Sequence, residues 1–382
     1  NNTYDDYAKI DVKGKCVVVL QGDVRNPDSK EANSSTSKRE KAESLGAAAF
    51  IIVMPNSDYN TFKGRMKFYM MRKSTILNRT KEGEGASIPT FFVGEDAADV
   101  WFEASKKMKK IVKIKKKGKK KGVVETGGLP CTFNYNLDIN RTEFNGKNVL
   151  AYLPGTDKDL KEEVVVITSH YDHIGIVDGE INNGADDDGS GTVTVMELAR
   201  VYMNASKNGD GPRRSVLFMN VVGEEKGLLG SEWYSDHPIF PLENTVANLN
   251  IDMIGRVDEA HSGDENYIYL IGSDKLSSEL HEISETANAS FTNITLDYTF
   301  NAPDDPNRFY YRSDHYNFAK HNIPVIFYFS GVHEDYHAPG DDVEKIMFTK
   351  MTNVGRLAFH TAWELLNRDE KIVVDKVNDF KD

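Results

Sequence analysis

The sequence predicts an α/β protein in which a mostly parallel central sheet is flanked by helices and preceded by a small α/β domain. Apolar runs of strand length recur along the chain and alternate with segments of helical spacing. That is the pattern of a parallel sheet covered on both faces. The 382 residues are too many for one ordinary core, which points to two domains. A hydrophobic content of 39% supplies those cores and argues against general disorder. No apolar run approaches the ~20 residues that a membrane helix needs.

Residues 1–128 read as the smaller domain. The run 15–20 is short and apolar, hence a buried strand. Helical spacing over 37–45 stops at Gly46, a residue suited to the end of a helix. Residues 47–54 and 88–93 are two further apolar runs. The lysine-rich stretch 106–121 follows, and Gly127, Gly128 and Pro130 then mark a linker. From residue 129 strand, loop and helix alternate. Strands are expected at 147–153, 163–168, 215–222, 246–252, 267–271 and 324–329, and helices at 190–204, 227–236, 276–287, 314–321 and 348–366.

Charge is unevenly spread. Residues 106–121 hold eleven lysines and no acid, so the formal net charge of −12 is the balance of +11 there and −23 elsewhere. The stretch reads as a solvated strand pair turning at Gly118 and tacked down by Ile111, Val112 and Ile114. An acidic protein with one basic hairpin is not expected to bind nucleic acid. Cys16 and Cys131 read as two buried thiols rather than a metal framework or a disulfide scaffold. The opening residues NNTYDDYAKI have neither a charged n-region nor an apolar h-region, so no signal peptide is expected in them.

Polar residues cluster just beyond the expected strand ends, where open α/β sheets bind ligands. Strand 163–168 runs into Ser169, His170, Tyr171, Asp172 and His173. Strand 215–222 runs into Gly223, Glu224 and Glu225. Strand 246–252 ends at Asp252, and strand 324–329 is followed by His333 through His337. The acidic turn 184–191, containing Asp186, Asp187 and Asp188, opens a helix. Each piece alone has an ordinary reading: a surface histidine, an acidic helix cap, two solvated glutamates. Their joint placement is different. Carboxylates and imidazoles converging from four strand ends require a compensating cation. Oxygen and imidazole donors without thiolates suit zinc, manganese or cobalt, and the donors suffice for two ions sharing a carboxylate.

At these residues the chain resembles the co-catalytic two-zinc aminopeptidases of the clan MH metallopeptidases, a group including bacterial leucyl aminopeptidases and relatives of glutamate carboxypeptidase. The matching pieces are Ser169-His170-Tyr171-Asp172, the turn 184–191, the run 223–231 beginning Gly223-Glu224-Glu225, Asn250-Ile251-Asp252-Met253, Arg312-Ser313-Asp314-His315 and Asp335-Tyr336-His337. The resemblance implies a zinc exopeptidase fold with two Zn2+ per chain, acting on peptide substrates in a secreted, periplasmic or cell-surface setting. It implies Asp187 as the bridging ligand, Glu225 and His337 completing one site, and His170 and Asp252 the other. Glu224 would be the general base that activates the metal-bridged water. Asp172 would orient His170, Tyr336 would steady the oxyanion, Arg312 would contact substrate, and the Asp187–Asp188 peptide bond would be cis. Residues 10–102 resemble a protease-associated (PA) domain through Ile10 to Val19 and Lys41 to Ala48. The resemblance thus divides the chain into a PA-like domain at 1–128 and a zinc-peptidase domain at 129–382. The expected activity is removal of N-terminal residues. Carboxypeptidase or dipeptidase action on the same dinuclear site is the alternative, and a binding protein without catalysis is a third reading.

Overall fold

The structure, a computed structural model, describes residues 7, 10–22, 35–71, 75–77, 87–104, 110–121, 126–136 and 142–379. The chain forms two compact units, residues 1–74 with 78–142, and residues 75–77 with 143–382. The expected boundary at 128/129 therefore falls inside the first unit. Leu129 packs on its core, and Phe133 and Tyr135 each lie with ring centroids 5.0 Å from Phe91.

The first unit runs β1 (Cys16–Leu20), α1 (Ser35–Ser44), β2 (Ala49–Met54), α2 (Asn56–Met71), β3 (Thr90–Gly94), α3 (Glu95–Ala104) and α4 (Ile111–Lys121). Its three strands pair in parallel in the order β1-β2-β3. Alternation of side chains across the pleat serves two cores. Val17, Phe50, Ile52 and Met54 meet Ala42 of α1 on one face, and Val53 meets Ala98, Phe102 and Ile111 on the other. The turn after α1 passes through Gly46 at φ +80°, a conformation open to glycine.

The lysine stretch corrects the sequence reading. Residues 106–109 lie outside the described residues, and the remainder forms the helix α4 rather than a strand pair. Lysine is a good helix former. Ile111, Ile114 and Gly118, at i, i+3 and i+7, make one buried stripe, whereas Val112 faces solvent. A glycine expected as a turn is thus a small residue on a packed face. Both cysteines are free thiols, as expected, but neither is fully buried: Cys16 is half-buried and Cys131 exposed.

The second unit carries β4 (Val149–Leu153), β5 (Val164–His170), the small hairpin β6 (Ile176–Val177) and β7 (Glu180–Ile181), α5 (Gly191–Lys207), β8 (Ser215–Val221), α6 (Leu229–Asp236), β9 (Thr245–Ile251), β10 (Tyr267–Ile271), α7 (Ser278–Ala287), β11 (Thr295–Asp297), α8 (His315–Ala319), β12 (Val325–Phe329) and α9 (Phe348–Asn367). The seven-stranded sheet has the order β11-β10-β12-β9-β5-β8-β4. Strands β12, β9, β5 and β8 are parallel. β4 joins antiparallel at one edge, β10 runs antiparallel to β12, and β11 is parallel to β10. The sheet is therefore parallel at its centre and mixed toward its margins. Helices α5, α7 and α9 cover one face through Leu198, Leu280 and Leu357. Helices α6 and α8 cover the other through Tyr234 and Phe318. Helix α6 begins later than expected because Gly227 and Leu228 both take positive φ.

Two buried cations or would-be cations locate stability in this unit. Arg214, fully buried just before β8, donates to Glu163 and to the main-chain carbonyls of Leu365, Arg368 and Asp369. It satisfies carbonyls that the end of α9 leaves free and complements the negative end of that helix. His315 is buried against Phe327, with ring centroids 4.7 Å apart, and burial pulls its pKa down to about 3.

Arg214→Met is expected to destabilise the protein by about 3 kcal/mol, since carbonyls and a carboxylate lose their donor. Urea unfolding measures it, and a loss under about 1 kcal/mol would show that the carbonyls find other partners. His315 stays neutral in the fold while the unfolded side chain takes a proton near its ordinary 6.5. Its contribution is therefore full above that pH and declines as pH falls. It is expected to remove on the order of 2 kcal/mol of stability between pH 7 and pH 5. His315→Phe is expected to flatten that part of the stability–pH curve, and an unchanged slope would contradict the assignment.

Candidate metal centre

The sheet delivers its polar residues to one edge. β5 ends at His170, β9 ends one residue before Asp252, and β8 leads through Gly223 at φ +76° into a single turn, Glu224–Lys226. The loop after β12 reaches His337, itself at φ +55°. The acidic turn Ala185–Ser190 enters α5 between them. Close approach explains the glycines that flank it. A Cβ on Gly191 would lie 2.2 Å from the Ile251 carbonyl oxygen, and one on Gly184 would lie 2.5 Å from Cγ of His173. The Asp187–Asp188 bond is cis.

Asp187 stands at the centre. Its Oδ1 is 3.3 Å from His170 Nε2, while its Oδ2 is 3.2 Å from His337 Nε2 and 3.7 Å from His173 Nδ1. His170 Nε2 also lies 3.6 Å from Asp252 Oδ1 and 4.0 Å from Glu224 Oε2. Glu225 faces two imidazoles, with Oε1 3.0 Å from His173 Nδ1 and Oε2 3.2 Å from His337 Nε2. Zinc bonds of about 2.0–2.1 Å place tetrahedral ligand atoms roughly 3.3–3.4 Å apart. The observed separations bracket that edge length. Among the described residues, two groups have ligand atoms within 4.8 Å of one another: His170, Asp188 and Asp252, and His173, Asp187 and Glu225. Asp188 is already engaged, because its carboxylate accepts the main-chain N–H groups of His170, Gly191 and Met253. Asp187 Oδ2, Glu225 Oε1 and both ring nitrogens of His173 are buried and lack a well-directed hydrogen bond among the described residues, although they face one another. Donors of this kind, gathered and unsatisfied, fit a divalent cation.

Crowding sets the electrostatics. Burial pushes the Glu224 carboxyl well above the usual range; His170 opposes the shift and Asp314, Asp252 and Asp187 reinforce it. Burial works against a proton on His170, but Asp252 and Glu224 win and hold its pKa well above normal. Glu225 is opposed by burial yet held low by His173 and His337.

A supporting layer fixes the donors. Ser313 Oγ donates to Asp252 at 2.6 Å, and Asn250 holds Ser313 at 2.8 Å. The buried Asp341 carboxylate accepts the N–H groups of Asp186 and Asp187 at 3.0 and 3.1 Å. Asp172 meets His170 Nδ1 through its main-chain carbonyl at 3.0 Å and through a carboxylate oxygen at 3.9 Å, and that carboxylate also accepts N–H from Gly223 and Glu224 and so places the glutamate pair. The structure also brings in His173 and Asp341, to which sequence reasoning gave no role. For His173 the signal was its place three residues after His170.

Beside the centre, the Tyr336 ring stacks on His337 at 3.9 Å, and Arg312 Nη2 donates to its hydroxyl at 3.5 Å. A pocket of about 640 Å³ adjoins them, lined by Glu259, Phe300, Phe309, Arg312, Val332 and Tyr336. Phe309, at the margin of the core that also holds Tyr310, Phe327 and Phe329, lines it. Arg256 is paired with Asp335 at 3.0 Å.

Comparison with known proteins follows this geometry. The profile of peptidase family M28 matches residues 148–362, which include every donor named above. Aminopeptidase YwaD of Bacillus subtilis (strain 168) is 28% identical over 222 residues, 56% of this chain and 44% of that protein. The probable leucine aminopeptidase of Arthroderma otae is 29% identical over 225 residues, 57% of each. The chain thus spans about half the length of the curated relatives it matches. Among solved structures, BSAP, a zinc aminopeptidase from Bacillus subtilis, is 20% identical with a TM-score of 0.46, over 96% of this chain and 74% of that one.

Proposed function

The chain belongs to peptidase family M28, and on that premise we propose that it is a zinc-dependent aminopeptidase with two Zn2+ per chain. The observation that carries this reading is Asp187, whose two carboxylate oxygens face separate donor sets. His170 and Asp252 would hold one ion with it, and Glu225 and His337 the other. Bound zinc supplies Lewis acidity, polarising the scissile carbonyl and lowering the pKa of water.

The remaining chemistry belongs to the chain. Glu224 stands 4.0 Å from His170 but outside the two ligand sets, and burial raises its pKa toward the working range of a general base. It takes the proton of the attacking water and returns it to the leaving amine. The Tyr336 hydroxyl, met by Arg312, donates to the developing oxyanion. Asp252, Glu224 and Glu225 make the crevice negative, which favours a protonated or metal-bound α-amine and opposes a C-terminal carboxylate. Arg256 is held by Asp335, which leaves Arg312 as the basic side chain in the pocket wall to set against those acids. The adjoining pocket receives the first side chain.

The first unit, by its resemblance to a PA domain, serves as a lid or a partner-binding surface in a secreted or cell-surface enzyme. Among the described residues the grouped metal donors all lie in the second unit, and no helix is long and apolar enough to cross a membrane.

Glu224→Gln is expected to retain zinc while the rate falls by about 10²–10⁴-fold or more. Elemental analysis and turnover measure the two, and near-normal turnover would move the base elsewhere. Leucyl anilide is expected to be cleaved and its N-acetylated form left intact. Cleavage of an N-blocked peptide from its free C-terminus, with no action on the anilide, would establish a carboxypeptidase instead.

A further inference from the structure

We propose that His173 is a ligand of the ion held by Asp187, Glu225 and His337, so that the two ions occupy unlike sites. This rests on the two-zinc reading above. The imidazole is nearly enclosed, its side chain 9% exposed, and Nδ1 lies 3.0 Å from Glu225 Oε1 and 3.7 Å from Asp187 Oδ2. His337 Nε2 faces the same two carboxylates at 3.2 Å each. His173, Asp187 and Glu225 thus offer ligand atoms within 4.8 Å of one another, and His337 brings a second imidazole to the same two carboxylates.

The surroundings argue against a plain ion pair. An imidazolium that only neutralised Glu225 would aim an N–H at it, yet neither ring nitrogen of His173 has a well-directed hydrogen bond among the described residues. Nor is the ring a filler on an apolar wall. It meets His337 edge-on at 5.8 Å, and it occupies the space that a side chain on Gly184 would need. The backbone of the acidic turn therefore gives way to this ring.

The consequence is an asymmetric pair. The ion at Asp187, Glu225, His337 and His173 has four protein ligands, the number that closes a structural zinc site. The ion at His170, Asp187 and Asp252 has three, which leaves a position open, as catalytic sites do. The first ion would be tightly held and the second more exchangeable.

The test is competition with a zinc chelator on the full chain, reading two successive affinities, with His173→Phe keeping the ring and removing its nitrogens. Loss of an outer partner alone costs about 10–100-fold in metal affinity, so loss of this ligand is expected to weaken the tighter site by at least about tenfold. The weaker affinity and the metal-free unfolding midpoint are expected to stay put. In the cobalt-loaded protein the visible absorption of the tighter ion is expected to change. His173→Gln supplies the same reading should the phenyl variant fail to fold. Two unchanged affinities, or both falling together, would overturn the proposal. A wild-type chain that binds no zinc would instead refute the two-zinc reading on which it rests.

Discussion

The carboxylates of Asp187, Glu224, Glu225 and Asp252 crowd into one crevice with the imidazoles of His170, His173 and His337, and few arrangements of a folded chain tolerate that. The groups respond unequally: burial raises the Glu224 carboxyl, His173 and His337 hold Glu225 low, and Asp252 and Glu224 hold His170 high. Much of the second unit is built to hold this unfavourable gathering in place. Four parallel strands bring donors to one edge, and buried main-chain N–H groups and hydroxyls fix individual carboxylates at a set angle.

The fixing is done largely by acids that do not face an ion. Asp188 collects three N–H groups, Asp341 collects those of Asp186 and Asp187, and Asp172 collects those of Gly223 and Glu224. Each ties two separate segments together at the crevice. A carboxylate offers two acceptor oxygens where an amide offers one, so the acidity of the region serves backbone geometry as well as ligation. The arrangement also explains why three consecutive aspartates have different surroundings. Asp186 turns back to Gly255 and His333, Asp187 forward into the crevice, and Asp188 down onto the strands.

The strands of the second unit were legible because continuous apolar runs leave few other structures for them. The same holds for the donors at their ends, since the residue types and the strand boundaries are both local facts. What escaped was tertiary. Helix α4 depends on Ile111, Ile114 and Gly118 finding a packed face, and lysines in solvent give no hint of it. His173 was visible as a letter in Asp172-His173, but its meeting with Glu225 spans separate strand ends. The carbonyl of Asp172 comes nearer His170 than its carboxylate does, 3.0 against 3.9 Å, a difference between oxygens of one residue that no sequence records. The reversal of β10 was likewise hidden, because a buried antiparallel strand has the same composition as a parallel one.

That reversal has an effect on descent. Because β10 runs against β12 and hence against β9, the connection from Asp252 to Tyr267 never crosses the sheet and stays on the edge where the donors lie. It contributes Glu259 to the wall of the pocket beside Tyr336. Insertions, deletions and substitutions in this excursion would reshape the pocket wall, while the strands that aim His170, Glu224 and Asp252 would keep their register. The wall of the pocket and the gathering of donors could then diverge on separable stretches of chain, one changing without the other being rebuilt.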